Sequence, residues 1–350
     1  MQPDRPEAVS VGDLSGHDLE ACVAMMRGGS RTFFAASRLL PPRVRAGAIA
    51  LYAFCRVADD LVDQPGGGQA SVEVLHERLD RIYAGTPLDV VEDHALSLLV
   101  QECGLPRHLL DALLEGFAWD AQARRYETIE DVHAYGARVA GSVGAMMAII
   151  MGVRDPHALA RACELGNAMQ LTNIARDVGE DARNGRLYLP RQWLREAGID
   201  PEHWLQQPVF NEALGQVVGR LLLEADALYQ RGSTGIAHLP RDCRGAILAA
   251  ATIYAEIGRV VSDRSMDSVN ERAVVGNARK LTLLCLAKAR AQLPQRCDTS
   301  EALPAIAFLV NACQQRPRRA PGNGEARNFD ERCEWVIDLF ERLSTPGRQF

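Results

Sequence analysis

A chain of 350 residues with 47% hydrophobic side chains can bury a sizeable core, and its length alone leaves one large domain or two open. Its net charge of −6 excludes a general attraction to nucleic acid or to an anionic membrane surface, so a polyanionic ligand has to be met by local cations or by metal. Nine cysteines, odd in number and without a C-x-x-C pair, suit reduced thiols in a cytoplasmic protein better than a disulfide framework or a zinc site.

Residues 1–15 read as a polar lead with none of the basic-then-apolar pattern of a secretory signal. An amphipathic helix is expected from His17 to Ser37, interrupted at Gly28–Ser30. Pro41 and Pro42 open the next helix, because proline suits a first turn. That helix runs through Tyr52, Arg56 and CRVADDLVD until Pro65 and Gly66–Gly68 end it. No Gly-Lys-Ser/Thr follows those glycines, so they read as a turn and not as a phosphate cradle.

Helical periodicity returns at 70–84, 90–102 and 107–124. The element at 128–152 contains VAGSVGAMMAIIMG. A mid-helix glycine costs roughly 1 kcal/mol against alanine, so Gly141 and Gly144 imply close helix packing, a groove for a long apolar ligand, or both. Asp155-Pro156 starts a helix that Gly185–Pro190 closes, and further helices are expected at 191–198, 208–232, 240–267, 274–292 and 328–343. The longest apolar stretch, Val143–Val153, is about half of what a membrane-spanning helix requires. With no alternating run of useful length and no internal repeat, the fold class is all-α. A helical domain is expected over 16–313, followed by a flexible linker and a short helix over 314–350.

Two of these helices carry the chemistry. Asn173, Asp177 and Asp181 recur every four residues and rise as one column of oxygen donors along a helix face. Arg176, Arg183 and Arg186 lie close enough in sequence to pair with these acids in water, which would make the segment an ordinary solvated surface. Asp59 and Asp63, with Asp60 beside them, form a second column on a helix whose upstream flank, AIALYAFC, is apolar. Buried carboxylates are normally paired or on a metal, and two such columns facing each other suit magnesium. That ion takes few protein carboxylates and completes its shell with water and phosphate oxygens, so the implied ligand is a phosphate or diphosphate.

With both columns placed, the sequence resembles the squalene and phytoene synthases, the head-to-head isoprenyl diphosphate synthases. The resemblance runs from about Cys22 to about Leu293 and rests on DDLVD, NIARDVGEDARNGRLYLP, SRTFF at Ser30–Phe34, RRYETIEDVHAYGARVAGSVG and Tyr254 in IYAEI. Within the family it is most similar to the bacterial phytoene synthases. The resemblance implies a single large bundle of the isoprenoid synthase type around a central apolar cavity. It also implies that two geranylgeranyl diphosphates condense through prephytoene diphosphate to phytoene, a step of carotenoid biosynthesis. Asp59, Asp63, Asn173, Asp177 and Asp181 then bind Mg2+ or Mn2+, with Asp60 beside them, and no nicotinamide is expected.

Arg56 and Arg186, then Arg31 and Arg272, are the candidates for diphosphate oxygens. Tyr52, Tyr188 and Tyr254 are candidates to line the cavity, and a tyrosine or released diphosphate to take the final proton. Ser30, Phe33, Val139, Met146 and Gln170 complete the expected substrate contacts. Peripheral contact with the inner membrane surface and with carotenoid-pathway enzymes is expected, and nucleic acid is not. Two alternatives stay open: a squalene or dehydrosqualene synthase using farnesyl diphosphate, and a non-catalytic helical protein that binds isoprenoids.

Overall fold

The computed structural model describes residues 16–29, 37–64, 67–293, 298 and 300–314. Among them there is no strand. The polar lead, Ser30, Arg31, Phe33 and the helix expected at 328–343 lie outside the described residues.

Helix α1 is Gly16–Gly29 and α2 is Pro42–Asp63, which starts at the paired prolines as expected. Helices α3 (Gln69–Tyr83), α4 (Val91–Cys103) and α5 (Arg107–Ala121) follow. Gly104, at φ 58, supplies the left-handed turn that stops α4. A capping box between Thr128 and Asp131 starts α6 (Ile129–Gly136). The segment expected to be one helix over 128–152 is interrupted by a π turn, Ala137–Gly141, before α7 (Ser142–Ile150).

Asp155 accepts from Ala158 N at 2.9 Å and Pro156 sits in the first turn, giving α8, Pro156–Arg183. Two short helices come next, α9 (Arg191–Glu196) and α10 (Pro201–Gln206); the second was not expected. Asn211 caps α11 (Glu212–Thr234), so that helix begins four residues later than its periodicity implied. Helix α12 is Arg241–Asp263, and α13 is Asn277–Ala291. The turn between them takes Ser265 and Met266 to positive φ, which ends α12 short of 267. A last helix, α14 (Ala307–Cys313), is also additional to the expectation.

Helix α8 is the axis of the fold: α6, α7, α11, α12 and α14 all pack around it. On either side lie two apolar clusters. One joins α1–α5 with α7, and the other joins the second half of α8 with α9–α11. The glycines of the π-turn region serve close packing. A Cβ on Gly144 would lie 2.2 Å from the Ala162 carbonyl oxygen, and one on Gly166 would lie 2.3 Å from that of Ala140. The backbones of α7 and α8 therefore touch.

Helix α12 is long and apolar enough to cross a membrane by length and composition, with mean hydropathy 1.3. It exceeds the Val143–Val153 stretch in this respect. It packs against α8, α11 and α13, and its Glu256 is held by Arg259 and Arg279, the arrangement of a core helix.

Replacing Gly144 by alanine should lower stability by about 1–3 kcal/mol in a denaturant melt, because the clash is with backbone and exceeds the gain in helix propensity. Gly28→Ala, where a Cβ meets nothing within 4 Å, should cause no loss.

Candidate active site

Three helices bring their C-terminal ends together. Asp59 and Asp63 occupy the last turn and a half of α2, Asp177 and Asp181 the last two turns of α8, and Asp120 the end of α5. Arg186 ties the two columns into one centre by donating from Nη2 to Asp63 Oδ1 at 2.5 Å. This pair joins residues 123 apart in sequence, so the acids are not a chance surface cluster.

Arginines hold several of the acids. Arg56 donates through Nε to Asp60 Oδ2 at 2.9 Å and lies 3.8 Å from Asp59. Asp177 accepts from its neighbour Arg176 and from Arg272 Nε, both at 2.7 Å. Arg183 instead donates to the Val269 carbonyl.

Electrostatics separate the acids. Burial and then repulsion from Asp63 push Asp59 up to about 6. Burial and then Asp177 push Asp181 up to about 7. Burial alone would also raise Asp177, but the Arg176 and Arg272 guanidinium groups outweigh it and hold the carboxyl below its usual range. The two raised acids have the weaker cationic contacts. Asp181 makes no side-chain hydrogen bond among the described residues, and Asp59 has only the long contact to Arg56.

The sequence pattern did not single out Asp120. Its carboxylate accepts from Tyr188 Oη at 2.7 Å and from Tyr135 Oη at 2.8 Å. Burial raises it despite those bonds, and its charge acts on both Asp59 and Asp181. It therefore stands between the columns. The available signal was a lone acid four residues after Gly116 in the apolar run of α5, which reads equally well as a polar helix end.

Tyr188 is buried and stacks on Tyr135 with ring centroids 5.0 Å apart, so it belongs to a polar-capped aromatic core. Its phenol is pushed far above the ordinary value by burial. Burial also raises Tyr52, and takes Tyr254 up to about 12. All three are neutral phenols near pH 7.

The other expected contacts fall along a line. On α8, away from its exposed ends, Ala162, Gly166, Gln170, Asn173, Asp177 and Asp181 are partly accessible and form one stripe, with Met169 and Arg176 partly accessible beside it. At 1.5 Å per residue that stripe runs about 28 Å. Tyr52 and Tyr254 are also half-buried, on α2 and α12. Val139 leaves the π turn to fill the notch at Gly116, where an added Cβ would lie 2.5 Å from Cγ1. Met146 is the exception: it is fully buried in the first cluster, and Val143, Gly144 and Met147 are the partly accessible residues of α7.

The donors fit a hard divalent cation. All are oxygen, and Asn173 Oδ1 is buried without a partner while its Nδ2 faces Gln170 at 3.4 Å. Among the described residues no three His, Cys, Asp or Glu side chains converge into a closed cage.

The squalene/phytoene synthase family profile matches residues 26–279. A phytoene synthase of Cereibacter sphaeroides is 49% identical over 352 aligned residues, covering 96% of each chain. One of Rhodobacter capsulatus is 50% identical over 85% of this chain and 91% of its own. A solved dehydrosqualene synthase superposes with a TM-score of 0.73 at 31% identity, over 78% of this chain and 96% of that one. A squalene synthase structure from Alicyclobacillus acidocaldarius shares the fold, with a TM-score of 0.66 at 24% identity over 71% of this chain and 94% of that one. Two acidic helix ends joined by Arg186, with these matches over most of the sequence, place the chain in the squalene/phytoene synthase family.

Proposed function

We propose that this chain is a phytoene synthase that joins two geranylgeranyl diphosphates head to head and releases diphosphate, with its working domain at 16–313. The observation that carries the reading is the acidic centre at one end of a 28 Å partly open stripe on α8. A charged head and a long apolar tail need those two environments in that order. The named function of relatives about half identical to this chain supports the choice of substrate.

Asp59, Asp63, Asn173, Asp177 and Asp181 would hold Mg2+ or Mn2+. When bound, such ions supply Lewis-acid neutralisation of charge on the diphosphate leaving group. Arg56, Arg186 and Arg272 now hold carboxylates, and each presents a fork that also fits phosphate oxygens. With cations on those carboxylates, these arginines would be free to meet the diphosphate oxygens. Below them, apolar side chains exclude water from the allylic cation, and Tyr52 and Tyr254 offer aromatic rings to it.

The first coupling forms the cyclopropane of prephytoene diphosphate with loss of a proton. The second ionisation and rearrangement end in loss of another proton, so no reductant is consumed. Neutral phenols are poor proton acceptors, which favours released diphosphate as the base. Asp120 keeps Tyr135 and Tyr188 oriented and adds negative charge beneath the centre. The hydrocarbon product is extremely apolar and has to leave for lipid, so the reading includes a cytoplasmic protein in peripheral contact with the inner membrane, where later carotenoid-pathway enzymes would receive it.

Incubation with C15 and C20 prenyl diphosphates and Mg2+ should yield phytoene from the C20 substrate alone. A C30 hydrocarbon would instead assign the chain to dehydrosqualene or squalene synthesis, and neither hydrocarbon nor diphosphate would leave an isoprenoid-binding protein. Asp120→Asn should lower kcat by about a hundredfold with an unchanged circular dichroism spectrum, the scale of losing one preorganised electrostatic partner.

The raised acids also set a pH signature. Asp59 and Asp181 bind protons more tightly folded than unfolded, so the metal-free protein should lose stability as pH rises from about 4 to about 7. Thermal melts across that range should show this slope, and added Mg2+ should stabilise the protein more at pH 7.5 than at pH 5.

A further inference from the structure

The distal end of the α8 stripe is closed by a different kind of structure. Arg161 and Glu164, both with fully buried side chains, form an ion pair there, and Arg231 joins it from α11. Their remaining bonds go to a strap after α13. Arg161 Nη1 donates to Asp298 at 2.9 Å and to Ser300 Oγ at 3.0 Å, and Arg231 Nη2 donates to the Glu301 carbonyl at 2.7 Å. Glu164 Oε1 accepts from the Leu303 amide at 3.1 Å. A buried ion pair is expensive unless its remaining donors and acceptors are met, and here the strap's side chains and backbone together meet most of them, Arg231 Nε excepted.

The clamp fixes the position of one side chain. Leu303 is half-buried and packs against both apolar clusters; among the described residues only Ile247 of α12 also does. Thirteen residues separate Glu164 from Asp177 on the same helix, about 20 Å at 1.5 Å per residue. Helix α12 runs in the same direction. Gly235, just before it, presses on Arg161, whereas Tyr254 lies within charge reach of Arg176 and Asp177. Ile247 therefore lies about 10 Å below Tyr254, on the way to Leu303.

Resting on the reading above, in which the prenyl tail follows the α8 stripe, we infer that Leu303 is the stop that sets the longest prenyl chain the site accepts. Its side chain closes the seam between the two clusters at the far end from the acids. Its main chain is tethered to Glu164, so the end of a long tail cannot push it aside as it would a free loop. A bulkier side chain there shortens the space, and a smaller one lengthens it, without touching the acidic centre. Leu303 lies outside regular helix, so substitution does not confound length with helix propensity.

The test compares the wild type, Leu303→Trp and Leu303→Ala with C15, C20 and C25 prenyl diphosphates and Mg2+. The kcat/KM for each is paired with the affinity for the C15 and C20 thiolodiphosphates, and melting temperatures verify folding. The C20-to-C15 ratio of kcat/KM should fall at least tenfold in Leu303→Trp, within the range that apolar pockets discriminate by chain size. Leu303→Ala, the milder change, should raise use of the C25 homologue at least threefold relative to C20. Ratios within threefold of wild type in both variants, or an equal loss for all chain lengths, would overturn the assignment. If the wild type neither turns over nor binds any of these compounds, the functional reading falls and the chain-length stop falls with it.

Discussion

The cost of gathering carboxylates at the wrong ends of helices governs this molecule. Helix C-termini carry partial negative charge, yet α2, α5 and α8 all end in aspartates that face one another. Each term is unfavourable: burial, like-charge repulsion and the helix dipoles. The raised positions of Asp59, Asp120 and Asp181 are its direct expression. Four arginines are recruited to offset it, and together they still leave two acids weakly compensated. A centre of this kind is poised for added positive charge.

The rest of the fold is arranged to withstand that strain. Gly144 and Gly166 let α7 and α8 approach until backbone meets backbone, which gives the helix that carries Asn173, Asp177 and Asp181 a rigid base. The Arg161–Glu164 pair anchors the same helix two turns from its start. Stiffness along α8 allows the acids to remain close without the helix end fraying. Softer packing would let repulsion open the site.

Much of this was legible from spacing. The four-residue columns, the prolines before α2 and the Asp155-Pro156 start of α8 are local signals, and each marks the element it was expected to mark. Asp120 was not legible, because its meaning depends on Tyr135 and Tyr188 arriving from other helices. The π turn was hidden for a related reason: a helix with one extra residue keeps an apolar, glycine-bearing pattern, and only the partner surface shows that Met147 rather than Met146 is left half-open. Helix α10 and α14 are too short for periodicity to reveal. Arg176 and Arg186 illustrate a subtler limit. Their nearness in sequence to the acids suggested solvated surface pairs, and the same nearness serves a site once the second column is brought opposite.

The arginines also bear on how the proposed cations would be held. A rigid cage of three or more carboxylates would hold a cation tightly before substrate arrived, and would hold diphosphate after release. Here Asp63 and Asp177 are occupied by Arg186 and Arg272. In the proposed reading, a cation taking either carboxylate would free an arginine fork for a phosphate, so metal and diphosphate would stabilise each other's binding. Departure of diphosphate would let the arginines return to the aspartates. The incomplete neutralisation of Asp59 and Asp181 is therefore the property on which that reading depends.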